Sequence, residues 1–182
     1  MAEKKRFSLW LQKKNRPAGK SSEPSDAGEG GGEQVGSPMA GKLIDIEAVA
    51  DPVFAQKILG DGVAILPTGG EVYSPVDGTV ETLLESHHAV CLRSSNGAEL
   101  LIHVGRDTVS LNGRYFTAHV TQGERVKRGQ LLLSFDRKAM LAQRFDLTSP
   151  VVLTNGDQFI LTKADGGAVR PGDPILSLVP RA

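Results

Sequence analysis

Gly123-Glu124-Arg125-Val126-Lys127-Arg128-Gly129, followed by Leu132-Leu133-Ser134, is echoed by Gly166-Gly167-Ala168-Val169-Arg170-Pro171-Gly172, followed by Ile175-Leu176-Ser177. The shared pattern is G-x-x-V-[KR]-x-G-x-x-[IL]-L-S. Glycines at fixed places mark turns of unusual φ, and the apolar run after them reads as a strand. A second echo pairs Ser37-Pro38-Met39-Ala40-Gly41-Lys42-Leu43 with Ser74-Pro75-Val76-Asp77-Gly78-Thr79-Val80. Together they predict two related β-units packed on each other.

Working outward, Val63–Leu66, Thr79–Leu84, Ala89–Arg93, Glu99–Val104, Gln130–Phe135, Pro150–Leu153 and Pro174–Leu178 read as short strands. Turn signals such as Asp77-Gly78, Asn96-Gly97, Asn112-Gly113 and Asn155-Gly156 punctuate them. The expected fold is all-β, an antiparallel β-sandwich or barrel with an internally duplicated motif and one or two short helices. Asp51-Pro52 can start a helix over Val53–Leu59, and Asp136 can cap one over Arg137–Arg144.

The 182 residues carry 21 basic and 21 acidic side chains. That balance excludes a dedicated nucleic-acid binder, which shows a basic excess. No apolar run approaches a bilayer span of about 20 residues, and no signal-peptide core is seen. Cys91 is the single cysteine, so an internal disulfide is excluded, and a reducing cytoplasm is expected. Cys91 itself reads as a small buried apolar residue.

Charge divides the chain. Residues 1–20 carry +6 and residues 21–36 carry −4, leaving −2 for 37–182. The segment 21–36, rich in Gly, Glu and Ser, reads as a flexible linker. In 3–16, Phe7, Trp10 and Leu11 share a helical face between basic clusters. Such a segment either lies on an anionic membrane surface or is a disordered basic tail. The expected organisation is therefore a tail over 1–36 and a folded domain over 37–182.

The sharpest chemistry lies in Leu100-Leu101-Ile102-His103-Val104-Gly105-Arg106-Asp107. Alternation puts Leu101 and His103 on one strand face and Ile102 and Val104 on the other. A turn at Ser95-Asn96-Gly97 would pair this strand with the one that His88 begins, bringing His88 opposite His103 at the hairpin's open end. Paired imidazoles suit metal binding, acid–base work near neutral pH, or carriage of a phosphoryl group on a ring nitrogen.

Over 37–182 the chain resembles the glucose-family enzyme IIA domain of the bacterial phosphoenolpyruvate-dependent sugar phosphotransferase system. The likeness runs through Asp51-Pro52-Val53-Phe54-Ala55, Ile58-Leu59-Gly60-Asp61-Gly62-Val63-Ala64-Ile65, Pro75-Val76-Asp77-Gly78-Thr79 and His88-Ala89-Val90. It continues through Glu99–Val109, Leu111-Asn112-Gly113, Phe135-Asp136 and Thr148-Ser149-Pro150-Val151-Val152. The specific core is H-x-G-x-D-T-V at His103–Val109.

The resemblance implies an antiparallel β-sandwich and a histidine phosphocarrier, with His103 phosphorylated and His88 stabilising the phosphoryl group. Ser86 takes the place of a threonine that orients His88, and the Gly105 backbone holds His103 in the needed tautomer. His87 is a bystander. The donor would be phospho-HPr and the acceptor a cysteine on the IIB domain of a sugar permease. Asp51, Phe54, Ile58, Leu59, Leu84, Val90, Leu101, Asp107 and Val109 would line the docking rim, the two acids meeting partner arginines. No cofactor is required, although His88 and His103 could hold zinc together with a partner's carboxylate. The expected setting is the cytoplasm, peripheral to the membrane if residues 3–16 touch it. The same face could serve regulatory protein targets.

Other classes compete less well. A zinc peptidase of the lysostaphin type shares the element at Gly123–Gln130 but needs an H-x-H pair, which the sequence lacks. A lipoyl or biotinyl carrier shares Pro75–Val80, yet Lys138 lies far beyond it and in a helical context. A binding or regulatory module that kept the fold without phosphoryl chemistry is the other alternative.

Overall fold

The computed structural model describes residues 32–182. The expected amphipathic segment 3–16 and most of the expected linker lie outside the described residues. Fourteen strands follow in order: β1 Glu33–Gly36, β2 Gly41–Asp45, β3 Asp61–Pro67, β4 Glu71–Tyr73, β5 Gly78–Leu83, β6 Ala89–Ser94 and β7 Glu99–His103. The rest are β8 Phe116–Ala118, β9 Arg125–Val126, β10 Leu131–Phe135, β11 Ser149–Leu153, β12 Phe159–Lys163, β13 Gly167–Val169 and β14 Pro174–Pro180. An eight-stranded sheet has the order β13-β2-β3-β11-β7-β6-β5-β9, and two three-stranded sheets run β1-β14-β12 and β4-β10-β8. The sheets enclose one main core, in which Ile102 of β7, Leu133 of β10 and Leu178 of β14 are all buried.

The sequence echoes recur as matching hydrogen-bonded geometry. Val126 of the first unit pairs with Gly78, and Val169 of the second pairs with Gly41. Ser74 Oγ donates to the Val76 carbonyl at 2.7 Å, and Ser37 Oγ donates to the Met39 carbonyl at 2.7 Å. The same serines are held from the other unit: Gly129 N–H donates to the Ser74 carbonyl and Gly172 N–H to the Ser37 carbonyl, each at 2.8 Å. Glycine is needed at both S-P-x-x-G positions, because a Cβ on Gly41 or Gly78 would stand 2.2 Å from a carbonyl of the neighbouring strand.

The domain begins earlier than position 37. Val35 is fully buried, and β1 pairs with β14 through Glu33↔Leu178 and Val35↔Leu176. Glu33 also accepts from Ser94 Oγ at 2.7 Å. The acidic, glycine-rich composition of 21–36 hid this strand, which has one apolar side chain.

The helices are shorter than the sequence suggests. The first, α1, is Pro52–Ala55, capped by the Asp51 carboxylate on Val53 N–H at 3.0 Å. The second, α2, is Arg137–Ala142, capped by Asp136 on Ala139 N–H at 2.9 Å. Both stop in the same way. Lys57 and Arg144 adopt left-handed backbone at φ 56° and 64°. Ile58 N–H then reaches back to Val53, and Phe145 N–H to Met140. This is the Schellman closure, here built without glycine. No helix among the described residues is long and apolar enough to cross a membrane.

Candidate functional site at the open end of the central hairpin

Strand β7 lies inside the large sheet, between β6 and β11. Leu100 and Ile102, with Val104 just beyond the strand, face the main core, while Leu101 enters a second, smaller apolar cluster with Phe54, Leu59, Ala89, Cys91 and Val152. His103 closes the strand on the smaller cluster's side. Period-two alternation thus separates the residues that hold the fold from those that surround the histidine.

The hairpin register differs by one residue from the expected one. Ala89, not His88, stands opposite His103. A one-residue shift would send a regular strand residue to the other face. His88 escapes this because it lies before β6, after His87 takes φ 54°. Its carbonyl still accepts from Val104 N–H at 2.8 Å. The two rings meet edge to face, with centroids 4.9 Å apart and planes at 79°. Phe54 from α1 packs its ring 5.3 Å from the His103 ring.

Each ring has one nitrogen engaged or enclosed. His88 is buried, and its Nδ1 meets the Ser86 hydroxyl. His103 is half-buried; its Nδ1 is enclosed and makes no hydrogen bond of proper geometry. Of the two His103 nitrogens, Nδ1 is the enclosed one on a half-buried ring. The Gly105 backbone favours the protonated His103 ring without closing a bond of that geometry.

Burial sets the protonation. It pushes His88 down to about 3, with the field of His103 adding to the effect. Burial pushes His103 down to about 4, against the Gly105 backbone and the carboxylates of Asp51 and Asp107, which act the other way. Both imidazoles are neutral at pH 7, so His103 Nε2 can carry a free lone pair.

The remaining expected rim residues separate on inspection. Ile58 is 65% exposed, and Leu84 and Val109 are half-buried. Phe54, Leu59 and Leu101 are buried and form the floor, not the rim. Val90 is a correction: it is fully buried in the main core, because Ala89 and Cys91 take the site-facing positions of β6. Val53, beside Phe54 on α1, is an exposed apolar residue (37%) that the sequence reading does not name. Its signal is position, since the same short helix supplies Phe54. Cys91 is buried on β6, as its strand placement implied. Among the described residues no group of three or more His, Cys, Asp or Glu is placed to hold a metal ion.

The family model for the phosphoenolpyruvate-dependent sugar phosphotransferase system, EIIA 1, matches residues 33–159. The glucose-specific EIIA component of Oceanobacillus iheyensis is 46% identical over 68% of this chain and 74% of its own length. The beta-glucoside-specific EIIBCA component of Dickeya chrysanthemi is 47% identical over 85% of this chain. This chain spans only 25% of that longer relative. Among solved structures, glucose permease IIA from Mycoplasma capricolum superposes with a TM-score of 0.77 at 34% identity, covering 81% of this chain and 96% of that one. The chain belongs to the EIIA 1 family of the phosphoenolpyruvate-dependent sugar phosphotransferase system.

Proposed function

We propose that the chain is a phosphohistidine carrier that takes a phosphoryl group from phospho-HPr on His103 Nε2 and passes it to a IIB cysteine. The observation that supports this most is the pair of neutral imidazoles, edge to face, with His103 Nδ1 enclosed on a half-buried ring. The lone pair of Nε2 attacks phosphorus. The P–N bond to HPr breaks, and its electron pair returns to the HPr imidazole. In the second step a IIB thiolate attacks the same phosphorus, and the electron pair of the new P–N bond returns to His103. Phosphoryl transfer depends on in-line placement and charge stabilisation more than on covalent machinery. Ser86, donating to His88 Nδ1, leaves a proton on His88 Nε2 to meet a phosphoryl oxygen. The Gly105 backbone, which favours the protonated His103 ring, is the acceptor this reading assigns to His103 Nδ1–H. Val53, Ile58, Leu84 and Val109 offer apolar docking surface, and Asp51 and Asp107 offer charge for partner arginines.

The same two imidazoles would give zinc half of a four-ligand set, with a partner carboxylate among the others. Regulatory proteins would meet the same face and sense the added phosphoryl charge. The cytoplasm, where HPr and a IIB domain are available, is the proposed setting.

The test uses phosphoenolpyruvate, enzyme I and HPr with the intact chain, read by mass. One acid-labile phosphoryl group is expected, absent in His103→Ala. His88→Ala should accept the group and fail to deliver it to IIB. No mass gain, under conditions that phosphorylate a relative, would leave a binding module that kept the fold.

A further inference from the structure

Gly105 follows the strand that carries His103, and two successive amides there are held from one direction. Gly105 N–H donates to Ser149 Oγ at 3.3 Å, and Arg106 N–H donates to the Asp146 carbonyl at 2.7 Å. In a trans peptide the C=O and N–H point opposite ways. With its N–H drawn toward Asp146, the 105–106 peptide turns the Gly105 carbonyl away from that segment. The Gly105 backbone favours the protonated ring, which is the sign expected of a carbonyl oxygen near a ring N–H. His103 Nδ1 is buried and closes no hydrogen bond of standard geometry, so an acceptor beside it matters.

The segment that holds these amides is itself fixed. Ser149 is fully buried and donates to the Leu147 carbonyl at 2.8 Å, which leaves its oxygen lone pairs for Gly105. The Asp146 carboxylate accepts from Thr148 N–H at 2.9 Å and from Thr148 Oγ1 at 2.7 Å. Thr108 Oγ1 ties the far side by donating to the Val104 carbonyl at 2.6 Å. There is no slack between the segments: a Cβ on Gly105 would stand 2.9 Å from the Asp146 oxygen.

We propose that Asp146–Ser149 is a backbone brace, with Ser149 as its positioning residue, that aims the Gly105 carbonyl at His103 Nδ1. The neutral ring then keeps its proton on Nδ1 and its lone pair on Nε2. The effect on transfer rate rests on the phosphocarrier reading; the effect on the tautomer does not.

The test is long-range proton–nitrogen NMR of the histidine rings in the full chain, with His103 assigned by its loss in His103→Ala. In the parent the neutral ring should be protonated on Nδ1. Ser149→Ala should raise the Nε2-protonated fraction and slow phosphorylation by phospho-HPr about three- to tenfold. Ser149→Thr, which keeps the hydroxyl, should restore both. An unchanged ring spectrum and rate in a folded Ser149→Ala overturns the proposal. Should Ser149→Ala fail to fold, Asp146→Ala at the exposed turn carries the same expectation with a smaller shift, and an unchanged spectrum there overturns it. A chain that never accepts phosphate defeats the carrier reading alone, because the tautomer is read without phosphate.

Discussion

At its closed end the β6–β7 hairpin turns beside water. Arg93 bridges Glu99 at 2.6 Å and Glu81 at 3.0 Å, and Gly97 takes φ 86° with open space where a Cβ would go. At its open end the same ladder carries two neutral imidazoles, over the cluster of Phe54, Cys91, Leu101 and Val152. There Gly105 takes φ 69°, and a Cβ on it would meet the Asp146 oxygen and Thr108 Cγ2, each at 2.9 Å. The backbone pairing is continuous between the two ends, so it does not explain their different chemistry. Partners do: at the closed end the buried Glu99 is bridged by the half-exposed Arg93, while at the open end burial outweighs the carboxylates near His103 and holds both imidazoles neutral.

Four perturbations test this contrast. Among the substitutions, the largest effect concerns the two glycines. Gly105→Ala adds left-handed strain and a backbone clash, and should cost about 3 kcal/mol or more in urea unfolding. Gly97→Ala adds strain alone and should cost about 1 kcal/mol. Equal costs would remove the distinction between a packed turn and a free one.

Acid comes next. The folded values of His88 and His103, about 3 and about 4, lie below the free value of 6.5. As pH falls from there, the unfolded chain binds protons before the folded one does. Stability should be complete above that free value and decline toward the folded values. The slope is about 1.4 kcal/mol per pH unit for each histidine. Denaturation curves across this range should show His88→Gln with about half the decline. A decline equal to the parent's would mean that His88 is not held neutral by burial.

A smaller effect belongs to Ser86. Ser86→Ala removes the hydroxyl from a buried His88 Nδ1 and should destabilise by about 1–3 kcal/mol, with slowed delivery to IIB. Ser86→Thr should recover both, as measured by unfolding and by transfer to a purified IIB domain. The smallest effect is at the wet end. Glu81→Gln weakens an ion pair to Arg93, whose side chain is 52% exposed, and should cost about 0.2–1 kcal/mol, less in high salt.

Much of the architecture is legible in the chain. The paired echoes announce the duplication, since a serine that turns onto its own strand and a glycine that admits a neighbouring carbonyl leave residue-level marks. Strand β1 is not legible. Val35 alone is apolar in Glu33–Gly36, and the strand exists because Leu176 and Leu178 wait across the ladder. The helix ends are not legible either, because Lys57 and Arg144 close them where glycine would be expected.

At the site, the order of residues along the chain is enough to say which side chains are available. It put His103 at the end of an apolar strand, His88 near it across a short hairpin, and Gly105 two residues after His103. It also determined the two faces of β7, since alternation is a property of the local backbone. The tertiary structure decided the rest. The one-residue offset that sets Ala89 opposite His103 depends on the turn geometry, and the contact of the two rings depends on the left-handed backbone at His87. Val90 went to the core and Ile58 to the surface because packing distinguishes faces that hydrophobicity alone does not. Ser149 reached Gly105 across 44 residues of sequence. Protonation was settled last, because the charge an imidazole carries depends on the water that its neighbours exclude, and those neighbours come from α1, β6, β7 and β11 together.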